Sequence, residues 1–210
     1  MSGLKRVFDV AGCLLLLAVL APVLAAAALA VRLGSRGPVL FRQERLGRGG
    51  RPFTIFKLRT MVAGAEATGP MTGRNDPRIT RVGAVLRKYR LDELTQLVNV
   101  LRGDMSLVGP RPLLPEFLPY YSDFDRRRLE AVPGMTGWQQ VNGAGRHGWR
   151  ERVALDVWYV DHQGPLLDLR ILLRTLGVVL RADTVYAADG SQTSGLPDGC
   201  PPPPGAGRKP

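Results

Sequence analysis

A run of eighteen apolar residues near the N-terminus, positions 14–31, constrains this chain more than any other feature. As an α-helix it is about 27 Å long, at the short edge of what crosses a ~30 Å hydrocarbon core. Pro22 lies near its middle and lacks the amide that would bond to the Ala18 carbonyl, so a kink is expected there. Both flanks of the run are basic, through Lys5, Arg6, Arg32 and Arg36. The positive-inside rule therefore gives no orientation, and a helix-break-helix that enters and leaves by the cytoplasmic face satisfies both observations.

The same segment has other interpretations. A basic start, an apolar stretch and the Ala-rich "LAAAALA" also describe a secretory signal peptide. A helix buried in a soluble protein is a third possibility. The segment alone does not separate a membrane anchor from a signal peptide.

The charge balance of the chain indicates anionic partners. Lys and Arg number 29 against 18 acids, a formal net charge of +11 in 210 residues. Such an excess suits nucleic acid, an acidic membrane surface or phosphorylated substrates. Cys13 and Cys200 make neither a disulfide framework nor a metal site. The length fits one domain with appendages, or at most two small domains.

Strand-like sequences flank a glycine-rich loop after the apolar run. "VLFRQ" and "PFTIFKL" are rich in β-branched and aromatic residues, and "GRGGR" separates them, which predicts a β-hairpin. From Arg32 to Arg59 there are eight Lys or Arg residues and a single acid, Glu44. Beside anionic lipid headgroups each base would contribute about 1 kcal/mol.

The remaining sequence predicts helices, loops and a tail. Apolar spacing predicts a helix from Gly83 to Leu101 and two more in "RERVALDVWYVDH" and "PLLDLRILLRTLGVVLR". "PGMTGWQQVNGAGRHGW" predicts a long loop, and the sequence from Ala187 predicts a disordered tail. The expected division is a membrane-embedded helix at 1–36, a folded domain at 37–186 and the tail at 187–210.

Two adjacent carboxylates in "KYRLDELTQLV", Asp92 and Glu93, have two interpretations. On a helix, Lys88 with Asp92 and Arg90 with Glu93 would form exposed ion pairs, each contributing about 0.3–0.5 kcal/mol. Alternatively, an ionised Asp92 is a competent nucleophile toward phosphorus, and Glu93 is a suitable Mg²⁺ ligand. Carboxylates so close need cations nearby to remain ionised. The candidate cations are Lys57, Arg59, Arg87 and Arg111.

At these residues the chain resembles a known family. "FKLRTM", "LRKYRLDELTQLVNVLRGDMSLVGPRPLL", "PGMTGWQQVNG" and "DVWYV" occur in order and closely resemble bacterial sugar transferases, the monotopic phosphoglycosyl transferases. The resemblance extends from Lys5 to about Arg181. It implies transfer of a sugar-1-phosphate from a UDP-sugar to a polyprenyl phosphate such as undecaprenyl phosphate. This step, of the EC 2.7.8 type, opens the synthesis of capsule, exopolysaccharide or O-antigen glycans.

The resemblance also implies an architecture. It is an α/β, helix-rich, monotopic membrane-associated domain with a re-entrant N-terminal helix broken at proline, a short β-hairpin and interfacial amphipathic helices. The domain at 37–186 is then catalytic and lies on the cytoplasmic side of the bacterial inner membrane. Because its substrates are cytosolic, the N-terminal segment is interpreted as a membrane anchor. Ala21 stands where the family often has Ser before the membrane proline, which weakens the re-entrant interpretation.

Site roles follow from the same resemblance. Asp92 is the expected nucleophile that forms a phosphosugar-enzyme intermediate, and Glu93 is its partner in Mg²⁺ binding, with Asp92 a second possible ligand. Arg87 and Arg111 are expected to hold phosphates, with Lys57 and Arg59 less specifically assigned. Trp138, Gln139 and Asn142 are candidates for the nucleotide pocket, because an aromatic face and amides suit a uracil ring; they would equally organise a Gly-rich loop. The altered "VNGAGRHGW" loop means that substrate preference does not transfer from the family.

Two rival functions remain open at this stage. The first is a metal-dependent glycosyltransferase that uses Asp123 and Asp125 of "DFD" as its metal site. The second is a non-enzymatic basic module that binds anionic membranes or nucleic acid. Nucleic acid is not favoured, because no recognition motif appears and the bases are spread along the chain.

Overall fold

The structure is a computed structural model that describes residues 3–65, 76–143, 147–180 and 200. The predicted tail therefore lies outside the described residues, apart from Cys200. The strands are β1 (Leu40–Leu46), β2 (Pro52–Leu58), β3 (Ser106–Val108) and β4 (Gly134–Thr136). The helices are α1 (Gly3–Gly34), α2 (Arg81–Lys88), α3 (Leu97–Arg102), α4 (Asp123–Arg126), α5 (Trp138–Val141), α6 (Trp149–His162) and α7 (Pro165–Leu180). Short 3₁₀ helices cover Arg48–Gly50, Leu91–Gln96, Pro115–Tyr120 and Arg127–Glu130.

Helix α1 is one continuous helix of 32 residues with Pro22 inside it. The expected break at Pro22 is therefore not observed. A proline removes one amide donor, but its fixed φ is compatible with helical backbone, so the hydrogen bonds on either side continue the helix. At 1.5 Å per residue the helix is about 48 Å long. Among the described residues it is the one helix long and apolar enough, by length and composition, to cross a membrane.

Both ends of α1 are attached to the rest of the protein. Near its start, Lys5 donates to the Asp168 carboxylate (2.5 Å) and to the Val108 carbonyl (3.1 Å). Near its end, Ala27 and Val31 are buried with a cluster of β2 and α2 side chains. Most of the side chains between these contacts are exposed, including Leu15 and Val19, at 66% and 64%.

The β-hairpin is confirmed. Strands β1 and β2 pair antiparallel, with Phe41 opposite Lys57 and Leu46 opposite Pro52. The "GRGGR" connection turns through Gly49 and Gly50, both with positive φ (68° and 76°), a conformation that glycine adopts without strain.

A second, parallel pair of strands was missed by the loop prediction for "PGMTGWQQVNG". Strand β4 pairs with β3, with Ser106 opposite Gly134 and Val108 opposite Thr136. The pairing requires close backbone approach, because a Cβ on Gly134 would lie 2.0 Å from the Gly109 nitrogen. A three-residue strand that depends on such contacts has no period for a sequence pattern to reveal.

The predicted single helix from Gly83 to Leu101 is wrong. Helix α2 ends at Lys88, Arg90 adopts left-handed backbone (φ 56°), and a 3₁₀ helix precedes α3. Lys88 lies over the ring of Tyr89, with its nitrogen 5.3 Å from the centroid, rather than in the expected pair with Asp92.

Buried polar contacts fix the region after this break. Thr95 Oγ1 donates to the Phe56 carbonyl (2.8 Å). The fully buried Asn99 amide donates to the Thr54 carbonyl (2.7 Å) and accepts from the Phe56 amide (3.2 Å). These hydrogen bonds attach the chain after the break to β2. The path of the chain here is therefore determined by tertiary contacts and not by helical periodicity.

The two C-terminal helices are confirmed as α6 and α7. The core joins them to α1, β2 and α3 through Cys13, Ile55, Leu97, Val100, Met105, Tyr159 and Ile171. One face of α7 is apolar and exposed, through Leu166, Leu169, Leu173, Leu176 and Leu180. This face has the composition expected of a helix that lies against a bilayer.

Gly83→Ala should destabilise the fold. Inside a helix this change ordinarily stabilises by about 1 kcal/mol. Here the added Cβ would lie 2.0 Å from the Thr60 carbonyl oxygen, so backbone must move, and overpacking of this kind costs about 1–3 kcal/mol. We expect a lower Tm in detergent. Gly3→Ala is the control, because its Cβ meets nothing within 4 Å; equal Tm values for the two variants would contradict the packing.

Candidate active site

The two adjacent carboxylates occupy the 3₁₀ turn that follows the break at Arg90. Left-handed backbone is uncommon at a residue other than glycine and marks a conformation that its surroundings impose. The turn places Asp92 in a buried position, with 9% of its surface exposed. The carboxylates therefore do not lie on a solvated helix face, and the interpretation as exposed surface ion pairs is wrong for Asp92.

Glu93 is held by cations from three parts of the chain. Its Oε1 accepts from Lys57 Nζ of β2 (2.9 Å) and from the Arg111 guanidinium (2.7 Å) in the segment after β3. Its Oε2 lies 4.0 Å from Arg90, which is the expected i,i+3 pair. The structure thus brings together three residues that the sequence predicted to act at one site: Glu93, Lys57 and Arg111.

Electrostatics separate the two carboxyl groups. Burial raises the pKa of Glu93, but Arg111, Lys57 and Arg90 outweigh burial and hold that pKa well below its ordinary value. For Asp92, burial and the Glu93 charge raise the pKa from 3.8 to about 6, against the opposing effect of Lys57 and Arg87. Neighbouring carboxyls with pKa values pushed apart are a pattern of sites that perform acid-base or nucleophilic chemistry.

Lys57 and Arg111 respond to the same surroundings. Burial lowers the pKa of Lys57, partly offset by Glu93. The Glu93 charge raises the pKa of Arg111. Arg111 therefore stays charged, and both partly buried ion pairs depend on the Glu93 carboxylate.

The two remaining predicted phosphate ligands lie in different settings. Arg87 donates from Nε to Thr60 Oγ1 (2.8 Å), and its charge lowers the pKa of Asp92, so it lies near that carboxylate. Arg59 is buried and donates to the carbonyls of Ser35 (2.9 Å) and Arg36. These contacts attach β2 to the end of α1 and favour a structural role for Arg59.

The three candidates for the nucleotide pocket lie in different surroundings. Gln139 is buried and borders a narrow cavity beside Arg111. Trp138 instead stacks on Trp158, with ring centroids 4.9 Å apart. Asn142 donates to the Trp138 carbonyl (2.7 Å) and so organises its own loop. The three residues do not line one common surface, and the role of each in nucleotide binding stays a prediction.

The rival "DFD" metal site is not favoured by its contacts. Asp125 is buried as a helix cap: its Oδ2 accepts from the Ser122 amide (2.9 Å) and hydroxyl (2.8 Å), and its Oδ1 accepts from Trp149 Nε1 (3.3 Å). Asp123 is exposed. Both Asp125 oxygens are already used in the structure.

Sequence reasoning missed two arginines near the site. Burial lowers the pKa of Arg45 in β1 to about 10, and Arg111 acts in the same direction. Arg152 in α6 borders the cavity that Arg111 and Gln139 also line. Both arginines occur in segments rich in basic residues. Their spacing in the sequence did not distinguish them from arginines exposed to solvent.

Asp92 and Glu93 are the groups that fit a divalent metal. Mg²⁺ is commonly held by one or two carboxylates together with substrate phosphates. Glu93 Oε1 is engaged by Lys57 and Arg111, whereas Oε2 lies at the longer distance of 4.0 Å from Arg90. Within the described ranges no cluster of three or more His, Cys, Asp or Glu could hold a metal ion. A Mg²⁺ at this pair would therefore need phosphate and water oxygens as its other ligands.

Comparison with known proteins gives a consistent result. A family model described as "Bacterial sugar transferase" matches residues 1–182. The chain is 43% identical to an uncharacterized sugar transferase, EpsL, of Bacillus subtilis, over 87% of this chain and 90% of the relative. It is 48% identical to a UDP-glucose:undecaprenyl-phosphate glucose-1-phosphate transferase of Caulobacter vibrioides, over 87% of this chain and 72% of the relative. It is 40% identical to an undecaprenyl-phosphate galactose phosphotransferase of Salmonella typhimurium, over 87% of this chain but only 42% of that longer protein.

Asp92→Asn should stabilise the fold at neutral and alkaline pH. Because the folded pKa of Asp92 is raised from 3.8 to about 6, the cost of ionising it in the folded state grows from about pH 4 and reaches about 3 kcal/mol above pH 6. Asparagine removes that cost, so its Tm should exceed the wild-type value at pH 8. The gain should shrink as pH falls through about 6 and vanish near 4, where both folded and unfolded Asp92 are protonated.

Glu93→Gln is the matched neighbour with the opposite expectation. It leaves the partly buried Lys57 and Arg111 without their counter-ion, a loss of about 1–3 kcal/mol, less than for a fully buried pair. The Tm of Glu93→Gln should be lower than that of the wild type at pH 8 and also near pH 4. A lower Tm for Asp92→Asn at pH 8 would contradict the assigned environment of the pair.

Proposed function

Because the chain belongs to the bacterial sugar transferase family, we propose that it transfers a sugar-1-phosphate from a UDP-sugar to undecaprenyl phosphate. The family resemblance inferred from the sequence motifs is confirmed, and the chain is an enzyme. The named relatives from Caulobacter and Salmonella support the substrate classes. The product would be a lipid diphosphate-sugar that begins the synthesis of a cell-surface glycan.

One observation carries the mechanism: a buried Asp92 stands beside a Glu93 whose charge is fixed by Lys57 and Arg111. With a pKa of about 6, Asp92 is mostly ionised at pH 7, yet among the residues that the structure describes it forms no ion pair within 4.0 Å. An ionised carboxylate that is buried and weakly paired is well suited to attack phosphorus once the phosphate charge is neutralised.

The reaction then has two displacements. In the first, an Asp92 oxygen forms a bond to the sugar-bearing phosphorus, and the bond from that phosphorus to the bridging oxygen breaks. The electron pair stays on the departing nucleoside monophosphate. In the second, an oxygen of the polyprenyl phosphate bonds to the same phosphorus and the aspartyl-phosphorus bond breaks, which restores Asp92. A covalent relay allows a water-soluble donor and a lipid acceptor to use one carboxylate in turn.

The surrounding residues neutralise charge and fix geometry. Arg87 and Arg111 face the pair and bind phosphate oxygens through their planar guanidinium groups. Lys57 holds Glu93 in place. A Mg²⁺ bound at Glu93, with Asp92 as a second possible ligand, would supply further positive charge to the substrate phosphates.

The contacts of α1 support a monotopic arrangement. Lys5 at its start and Ala27 and Val31 near its end contact the same folded domain. If that domain lies in the cytoplasm, both ends of α1 face the cytoplasm, and the continuous helix does not cross the bilayer. The exposed leucines of α7 would lie in the same interface. We place the enzyme at the bacterial inner membrane with residues 37–186 as the catalytic domain on the cytoplasmic side.

The mechanism is tested by trapping the intermediate. Membranes that contain the protein are incubated with UDP-sugars and no acceptor, and the protein is mapped by mass spectrometry. We expect UMP release and a phosphosugar adduct on Asp92. Asp92→Asn should form no adduct and lose at least about 10³-fold in turnover, because a nucleophile is removed.

Asp123→Asn is the control for the same charge change on an exposed carboxylate. It should turn over at the wild-type rate. Loss of activity in Asp123→Asn with a normal rate in Asp92→Asn would overturn the assignment and favour the metal-dependent glycosyltransferase.

The monotopic arrangement is tested by cysteine labelling. Single cysteines are introduced as Leu4→Cys and Pro38→Cys at the two ends of α1, and as Asp123→Cys in the catalytic domain, in a Cys200→Ser background; Cys13 is buried. A membrane-impermeant maleimide should label all three in inverted vesicles and none in intact spheroplasts. Labelling of Leu4→Cys and Asp123→Cys from opposite sides would show that α1 crosses the membrane.

A further inference from the structure

A second basic cluster lies next to Arg111. A narrow cavity there, partly open to the surface, is bordered by Arg111, Arg128, Gln139, Trp149, Arg152 and Asp156. Three arginines, of which Arg128 is buried and Arg111 and Arg152 are partly buried, thus meet the single carboxylate of Asp156 at this cavity. Because burying unpaired positive charge is costly, an excess of this kind calls for an anion.

Among the described residues, two of the three arginines at the cavity have a carboxylate partner, and the third does not. The Asp156 carboxylate is taken by Arg128, which also donates to Tyr121 Oη (3.1 Å) and to the Arg111 carbonyl (3.0 Å). Arg111 itself is paired with Glu93. Arg152 is the remaining cation, and its guanidinium makes no hydrogen bond or ion pair within the part of the chain that the structure describes.

The cavity itself has room for about one water molecule, so an anion would bind at its mouth. Two further observations indicate that the arginines around it are incompletely neutralised by the described residues. Burial lowers the pKa of Arg152, with Arg111 and Arg128 acting in the same direction and Asp156 opposing them. Arg128 is 4% exposed, yet its Nε has no hydrogen-bond partner among the described residues. An anion at the mouth of the cavity would neutralise Arg152 and add a partner to Arg111.

We propose that Arg152 and Arg111 form a phosphate subsite that is used twice in each turnover. In the first displacement it binds the phosphate of the departing nucleoside monophosphate, and in the second it binds the phosphate of the arriving polyprenyl phosphate. This inference rests on the proposed function and names a binding residue that the sequence motifs did not single out. The Arg128–Asp156 pair positions Arg111 through its carbonyl.

The double use follows from stereochemistry. In phosphoryl transfer the attacking and leaving oxygens lie roughly in line across phosphorus. In the first step the bridging oxygen leaves from the side opposite Asp92. In the second step Asp92 is the leaving group, so the polyprenyl phosphate oxygen must attack from that same opposite side. The two phosphates therefore occupy one place in succession, and a single pair of arginines serves both.

The test compares Arg152→Ala with Arg152→Lys and with Arg150→Ala, an exposed arginine on the same helix. UMP and uridine binding to the resting enzyme in nanodiscs is measured by calorimetry, and kcat/KM is measured separately for UDP-sugar and for undecaprenyl phosphate. Arg152→Ala should weaken UMP binding about 10–100-fold, the loss of charge-assisted hydrogen bonds, and leave uridine binding unchanged. Both kcat/KM values should fall by similar factors.

The variants separate binding from folding. Arg152→Lys should recover part of the UMP affinity, and Arg150→Ala should match wild type. Equal weakening of UMP and uridine binding, or unchanged UMP binding, would overturn the subsite. So would a fall in kcat/KM for only one substrate, since that excludes shared use.

The outcome is distinguishable from failure of the proposed function. A wild-type adduct on Asp92 with normal UMP affinity in Arg152→Ala would refute the subsite alone. Loss of UMP affinity in Arg152→Ala, in an enzyme that forms no Asp92 adduct, would refute the covalent mechanism, and with it the double use, but leave Arg152 as a phosphate ligand.

Discussion

The organisation of the site depends on the partly buried carboxylate of Glu93. A charge in this position is tolerable only with partners, and Lys57 and Arg111 supply them from the hairpin and from the segment after β3. The ion pairs therefore fix the relative positions of three separate pieces of chain. The turn that carries Asp92 is part of this arrangement, so the electrostatic demand of one side chain determines where its neighbour lies.

The electrostatic surroundings of Asp92 differ from those of Glu93. The nearby cations are engaged mainly by Glu93, and burial acts against the Asp92 charge. A carboxylate in that state makes the fold less stable than it would otherwise be at neutral pH. Proteins retain such groups where function requires them, since stability and activity make opposing demands at active sites. The opposed environments of two adjacent acids are the strongest sign in this structure that the pair performs chemistry.

The sequence predicted those parts that local patterns encode. The hairpin, α6 and α7 follow from residue composition and spacing, and the charge context of Asp92 and Glu93 with Lys57 and Arg111 was anticipated from chemistry and family resemblance. The left-handed turn at Arg90 was not, because the contacts that impose it join residues far apart in the chain. Strand β4 was missed for the same reason. Arg152 acquires its character only from the buried cluster around it, and no sequence pattern distinguishes it from the other bases of its helix.

The contact between Lys5 and Asp168 joins residues 163 positions apart. During synthesis Asp168 leaves the ribosome 163 residues after Lys5. The start of α1 therefore lacks this ion pair until α7 has been made, and loop closure over such a distance slows that step of folding. A truncation that removes α7 would consequently loosen the start of α1, and nascent chains would remain open to proteolysis and chaperone binding until α7 is complete.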